Sequence, residues 1–115
     1  MTDLQPTDPE DRKILTLARA SRARTEAAQG GCVRDTDGRT YAATSIEVAG
    51  LKLSAIQLAV AMAVSSGAQG VEAVALVADD GPTEADLSVI RGLPGTGVRV
   101  WCADPAGTVQ WTVEL

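Results

Sequence analysis

The stretch EVAGLKLSAIQLAVAMAV, residues 47–64, decides the fold of this chain. Between Leu51 and Ser65, only Lys52, Ser54 and Gln57 interrupt a run of apolar side chains. A helix that is apolar on nearly all sides is buried on most of them. The stretch therefore predicts a buried helix over about 51–66, which ends before Gly67.

The segments before this helix predict a further helix and a β-hairpin. Asp8 is a favourable N-cap and Pro9 suits a first turn, so a helix is expected over about 9–24. Asp37-Gly38 is typical of a tight turn between two strands, and the return strand begins at Thr40.

The segments after the buried helix predict three strands and a short helix. Residues 70–79 form a Val-rich run that is typical of a central strand. Thr83 and Asp86 fit a capping box at the start of the short helix, and two strands follow it. The order α-β-β-α-β-α-β-β predicts an α/β fold, a three-layer α-β-α sandwich with a mixed sheet of about five strands. We expect a single domain over 8–115, preceded by a flexible N-terminus at 1–7.

Composition limits how much the core can contribute to stability. Hydrophobic residues make up 45% of the 115 residues, but aromatic residues make up only 3% and Phe is absent. The core must consist of Ala, Val, Leu and Ile, and each small side chain buries little area. We therefore expect self-association as an additional source of stability.

Charge limits the class of partner. The net charge is −5, which argues against general nucleic-acid binding because such binding needs a basic footprint. Half of the ten basic residues nevertheless lie near the N-terminus, namely Arg12, Lys13, Arg19, Arg22 and Arg24. They form either a solvated helix face balanced by Asp8, Glu10 and Asp11, or a weak docking face for an acidic partner.

The cysteines and the N-terminus indicate an intracellular protein. Cys32 and Cys102 lie far apart in apolar runs, as expected of buried free thiols, and a disulfide requires their strands to be neighbours. The N-terminus is polar and acidic, unlike a signal peptide. The longest apolar run, 53–64, is too short to span a membrane. We expect a cytoplasmic protein without membrane contact.

A search for catalytic groups finds little. The chain has no His, which removes the commonest general base and metal ligand, and two isolated Cys cannot form a zinc cluster. Five carboxylates remain at predicted turns and helix starts, where capping and the helix dipole explain acidic residues equally well. These carboxylates belong to Glu47, Asp79, Asp80, Glu84 and Asp86.

The order of elements and three local strings resemble the small cytidine deaminase family. RDTDGRTYAATSIEVAG resembles the hairpin that leads into the family's Asn-x-Glu substrate segment. SAIQLAVAMAVSSG resembles the continuation of its zinc helix, and VEAVALVADDGP resembles the strand before its Pro-Cys-x-x-Cys motif. The resemblance implies the fold predicted above, and it implies relatives that are dimers or tetramers.

The resemblance also implies a chemistry whose residues are missing here. In the family, Zn²⁺ held by three Cys, or by one His and two Cys, activates a water while a Glu moves protons. Carried over, the ligand positions fall on Gly50, Thr83 and Asp86, and the catalytic Glu falls on Lys52. In the flanking motifs, only Pro82 and Glu47 match; Ser45 replaces the substrate Asn, and Ala27 and Gln29 replace the pocket pair.

These departures lead to three hypotheses of function, none of which needs a cofactor. The first is a non-catalytic member of the superfamily that acts as a homo-oligomer, dimer or tetramer, or through a protein partner. The second is a module that binds a nucleoside or another small ligand in a pocket at Glu47, Lys52 and Asp86. The third is a zinc-independent enzyme that uses Lys52 with Glu47 or Asp86. We also expect Lys52 to lie at a helix N-terminus and to form an ion pair with Asp86 or Glu47. This ion pair would occupy the space that the metal fills in the family.

Overall fold

The computed structural model describes residues 4–115, which form three helices and seven strands. The helices are α1 (Pro9–Thr25), α2 (Ala55–Ser65) and α3 (Glu84–Arg91). The strands are β1 (Gly30–Asp35), β2 (Thr40–Thr44), β3 (Ile46–Val48), β4 (Leu51–Leu53), β5 (Val71–Val77), β6 (Arg99–Ala103) and β7 (Val109–Glu114). Residues 1–3 of the N-terminus predicted to be flexible lie outside the described residues, and Pro6 within it is buried.

Five strands form one mixed sheet in the order β2-β1-β5-β6-β7. The β5 and β6 strands are parallel and are joined through α3, whereas every other neighbouring pair is antiparallel. One apolar cluster lies between the sheet and α1, and a larger one lies between its other face and α2 with α3. The predicted three-layer sandwich with a five-stranded mixed sheet is therefore confirmed.

Two consecutive glycines let helices approach both faces of β1. A Cβ at Gly30 would overlap the carbonyl oxygen of Ala18 in α1. A Cβ at Gly31 would lie 3.1 Å from the Cβ of Ala55 in α2. Because β1 also lies between two other strands, every one of its residues is buried.

The hairpin of β1 and β2 is held by one buried carboxylate. Asp35 accepts hydrogen bonds from the backbone N–H groups of Asp37 and Arg39, both 2.9 Å, and from the Tyr41 hydroxyl, also 2.9 Å. Burial alone would raise the pKa of Asp35, but these hydrogen bonds outweigh it and hold the pKa below its ordinary value. The predicted turn at Asp37-Gly38 is confirmed.

The predicted start of the long helix is wrong by four residues. Residues 51–53 form β4, which pairs with β3 in a separate two-stranded sheet, and α2 begins only at Ala55. The reason is local: Ser54 and Gln57 form a capping box that fixes the N-terminus there. Gly50, with a φ of 85°, supplies the left-handed position of the turn between β3 and β4.

The two cysteines lie on opposite faces of the sheet. Cys32 packs in the α1 cluster and Cys102 in the α2 and α3 cluster, and β5 separates their strands. Both are buried free thiols, as predicted. Within residues 4–115, no helix combines the length and apolar character needed to cross a membrane.

Candidate functional site

An open cleft of about 550 Å³ lies where the β3–β4 hairpin meets the N-terminus of α2 and the end of β5. Its lining includes Glu47 and Lys52 from the hairpin, Ser54 from the start of α2, and Asp79 and Asp80 after β5. Three carboxylates and one ammonium therefore surround this cleft.

At the cleft, side chains of the same molecule form hydrogen bonds with the N-terminus of α2. Ser54 Oγ accepts the N–H of Gln57 at 3.1 Å, and Gln57 Oε1 accepts the N–H of Ser54 at 2.9 Å. The N–H of Ala55 donates to Gln29 Oε1 at 3.0 Å. Gln29 is held in turn because its own N–H donates to Ser45 Oγ at 3.0 Å. Side chains of the chain thus pair with the N–H groups of Ser54, Ala55 and Gln57 at the start of α2.

One side-chain hydrogen bond joins the starts of α2 and α3. Ser54 Oγ donates to Asp86 Oδ1 at 2.6 Å, and Asp86 is only 2% exposed. The second carboxylate oxygen of Asp86 accepts the N–H of Thr83 at 3.0 Å, while Thr83 Oγ1 accepts the N–H of Asp86 at 3.1 Å. The predicted capping box of α3 is thus present, and its acid also binds a residue of another helix.

Lys52 lies in a different place from the one predicted. It is on β4 opposite Glu47 of β3 rather than at a helix N-terminus, since α2 begins later. Its Nζ lies 3.9 Å from Glu47 Oε1, and the two side chains are 80% and 76% exposed. Asp86 forms no ion pair with Lys52 and reaches the cleft only through Ser54. Of the three predicted pocket residues, Glu47 and Lys52 line the cleft together.

Cys102 is the thiol on the α2 and α3 side of the sheet. Burial, and to a smaller extent the negative charge of Asp86, raise the pKa of this thiol to about 12. A thiol with this pKa is protonated and a poor nucleophile at neutral pH.

Comparison with known proteins identifies the family to which this chain belongs. The model of the cytidine deaminase-like family matches residues 7–107, so the chain belongs to that family. A search of curated proteins finds no match.

Among solved structures, the chain is similar to three bacterial cytidine deaminases, each at 21% identity. For the enzyme from Burkholderia pseudomallei, the TM-score is 0.76 over 89% of this chain and 90% of that one. For the Mycobacterium tuberculosis enzyme it is 0.69, over 81% and 85%. For the Mycobacterium leprae enzyme it is 0.67, over 85% and 89%. At this identity, the likeness shows the fold.

The zinc implied by the family resemblance does not fit the residues present. Gly50 has no side chain and lies in the hairpin turn, while the Thr83 hydroxyl and the Asp86 carboxylate are occupied in capping α3. Within residues 4–115, no three His, Cys, Asp or Glu side chains lie close enough together to hold a metal ion. A tetrahedral zinc site needs such a donor set.

The contact between Ser54 and Asp86 was missed in the sequence, although half of its signal was readable. Ser54-x-x-Gln57 is a capping-box pattern that marks a helix start directly before Ala55. No local pattern could reveal that the same serine faces Asp86, because the two residues are 32 positions apart.

Proposed function

We propose that this chain is a non-catalytic member of the cytidine deaminase-like family that acts through self-association or a protein partner. The observation that carries the proposal is the hydrogen bond between Ser54 and Asp86. It joins the start of α2, four residues after the implied ligand position Gly50, to the start of α3, where the other two implied ligand positions, Thr83 and Asp86, lie. Asp86, at one ligand position, is buried and fully engaged with Ser54 and Thr83.

The position of the implied general base supports the same conclusion. Lys52 cannot accept a proton while it is an ammonium, and its exposed side chain pairs with Glu47. A base must also lie within hydrogen-bond reach of the proton it removes. Glu47, the carboxylate nearest to Lys52 on this hairpin, falls on the substrate-segment position of the resemblance rather than on that of the base.

An apolar surface supports action through association. None of the eleven residues of α2 is charged, yet this helix exposes Met62 and Val64, the latter at 52%. The β3–β4 hairpin exposes Val48, at 62%, and its cross-strand neighbour Leu51. Exposed apolar side chains are frequent at protein interfaces, and we take the side of α2 that exposes Met62 as the proposed apolar surface.

Two measurements on the purified native protein test the proposal. We expect substoichiometric zinc by elemental analysis and no conversion of cytidine to uridine by absorbance, with or without added zinc. We also expect light scattering to give a mass above that of one chain. Stoichiometric zinc together with deamination that a chelator abolishes would contradict the proposed loss of catalysis.

A substitution on α2 tests the associating surface separately. Met62→Lys places a charge in the proposed apolar surface and should shift the mass toward one chain. Ser88→Lys, at an exposed position of α3, adds the same charge elsewhere and should leave the mass unchanged. If both substitutions change the mass equally, or if neither changes it, the chain does not associate through this surface.

The cleft favours a second candidate, the binding of a nucleoside or another small ligand. Its volume of about 550 Å³ is in the range of ligand sites, and Glu47 lies at the matching substrate-segment position. A nucleoside that raises the unfolding temperature of the native protein, but not of Glu47→Gln, would support it. The third candidate, an enzyme that uses Lys52 as nucleophile or base, lacks support because such lysines are buried whereas Lys52 is exposed.

A further inference from the structure

The five basic residues of α1 (Arg12, Lys13, Arg19, Arg22 and Arg24, the α1 cations) lack the acidic partners that the sequence offers. Asp11 turns toward the sheet, where its Oδ1 lies 2.9 Å from Arg34 Nη1, and Arg34 also binds Glu72 at 2.7 Å. Asp8 accepts the N–H of Glu10 as the N-cap of α1. Within residues 4–115, no carboxylate forms an ion pair with any of the α1 cations.

Two of these cations border a second cleft, distant in sequence from the β3–β4 hairpin. It has a volume of about 210 Å³ and lies between α1, the segment before it and the turn that joins β6 to β7. Arg12 and Arg19 contribute to its walls, and Leu15 and Pro6, both buried, contribute apolar surface. We call it the α1 cleft.

The chain binds the guanidinium of Arg12 directly and leaves room for that of Arg19 beside the cleft. Arg12 Nη2 donates to the carbonyl oxygen of Thr7 at 2.5 Å, and a guanidinium carries five N–H donors in all. Arg19 packs over Gly107, where an added Cβ would lie 3.2 Å from Arg19 Cδ. Because Gly107 has no side chain, Arg19 lies against this turn at the edge of the cleft.

Asp104, the acidic residue of the nearby turn, is bound by groups of its own hairpin and forms no ion pair with Arg12 or Arg19. Asp104 accepts the N–H groups of Ala106 and Thr108 through one oxygen, and the side chain of Gln110 through the other. Arg12 and Arg19 are seven residues apart, about 10 Å along the helix axis, so they can contact two separate anionic groups. A site with two placed guanidinium groups and an apolar wall suits carboxylate side chains next to apolar contacts.

We propose that the α1 cleft docks an acidic segment of a protein partner, with carboxylates bound by Arg12 and Arg19. The net charge of −5 favours this partner over a nucleic acid, because a long polyanion would extend beyond the few α1 cations to acidic surface. A short acidic segment, by contrast, meets only the charges near the cleft. Charges farther away than about one Debye length, roughly 8 Å at physiological salt, are screened. The proposal is independent of whether the other cleft is catalytic.

Fluorescence anisotropy of the native protein with a labelled oligoglutamate peptide tests this proposal. We expect saturable binding that weakens with salt, and no binding of an oligoglutamine peptide of the same length. Arg12→Gln/Arg19→Gln should weaken binding about tenfold or more, as loss of charge-assisted hydrogen bonds of roughly this strength does. Lys13→Gln/Arg24→Gln removes the same charge from exposed positions of α1 outside the cleft and should change the affinity less than about twofold.

A second pair of variants adds a carboxylate rather than removing arginines. Thr16→Glu places an acid in the cleft, four residues after Arg12 and three before Arg19, so it pairs with both and blocks the site. Ala20→Glu, exposed on the same helix, is the control and should still bind. Absence of saturable binding, equal losses within either pair of variants, or tighter binding of an oligothymidylate would each overturn the proposal.

Discussion

The hydroxyl of Ser54 and the carboxylate of Asp86 form a 2.6 Å hydrogen bond that connects the N-termini of α2 and α3. Because Asp86 is buried, removing either partner leaves the other without its hydrogen bond in a place that water reaches poorly. Ser54→Ala and Asp86→Ala should each lower the free energy of unfolding by about 1–3 kcal/mol. In the double variant, the loss should be smaller than the sum of the two, as measured by urea unfolding.

The control for this cycle is Ser88→Ala, since Ser88 is an exposed residue of α3. It should change the free energy of unfolding by less than about 0.5 kcal/mol. Additive losses from the Ser54 and Asp86 substitutions would mean that the two helix starts are stabilised independently.

The ion pair of Lys52 and Glu47 should contribute little to stability. Its atoms are 3.9 Å apart and both side chains are mostly exposed, and such pairs contribute about 0–1 kcal/mol. Lys52→Ala should therefore shift the unfolding midpoint only slightly in low salt, and by still less in high salt. A loss of several kcal/mol would show that Lys52 has a buried partner.

Asp35 should make stability sensitive to acid. Its pKa in the folded protein lies below the ordinary value of about 3.9, so its stabilisation is fully present above that pH. It is lost as the pH falls through the folded pKa, because the carboxylate is then protonated. The difference in free energy of unfolding between the wild type and Asp35→Asn should be constant at neutral pH and shrink below about pH 4. A difference that does not change between pH 7 and pH 3 would contradict this assignment.

Gly30→Ala should destabilise the fold by forcing α1 away from β1. The added Cβ would overlap the Ala18 carbonyl oxygen, and overpacking of this kind costs about 1–3 kcal/mol or more. Gly81→Ala is the matched control, since an added Cβ there meets nothing within 4 Å. Thermal unfolding should separate the two variants clearly.

Both thiols should be unreactive in the folded protein. Burial raises the pKa of Cys32 to about 11 and, with a contribution from Asp86, that of Cys102 to about 12. At pH 8 each is a protonated, buried thiol, so Ellman's reagent should react only as the chain opens or after denaturant is added. Immediate reaction of one thiol would indicate that its side of the sheet opens without global unfolding.

Most of the architecture could be predicted from sequence because it depends on local patterns. Asp8 and Pro9 mark the start of α1, and the Val-rich run at 71–77 marks the central strand β5. The helix start predicted near 51 failed because apolar residues on β4 continue the pattern of α2, and periodicity alone cannot separate a short strand from a helix. The capping box at Ser54 was the signal that could have separated them.

The candidate site depended on contacts that sequence does not encode locally. The pairing of Lys52 with Glu47 was one of two predicted alternatives, and the turn between β3 and β4 selects it by placing the two residues opposite each other. The inward turn of Asp11 toward Arg34 depends on how α1 packs over β1. That packing, rather than the charge pattern of the helix, leaves the α1 cations without their nearest acid.

The hydrogen bond between Ser54 and Asp86 also bears on how the stability of the protein depends on the solution around it. When a bound ion stabilises a fold, the stability rises with the logarithm of the free ion concentration and falls when that ion becomes scarce. Two side chains of the same chain are always present at the same effective concentration. The strength of this hydrogen bond between α2 and α3 therefore does not depend on the concentration of a second component.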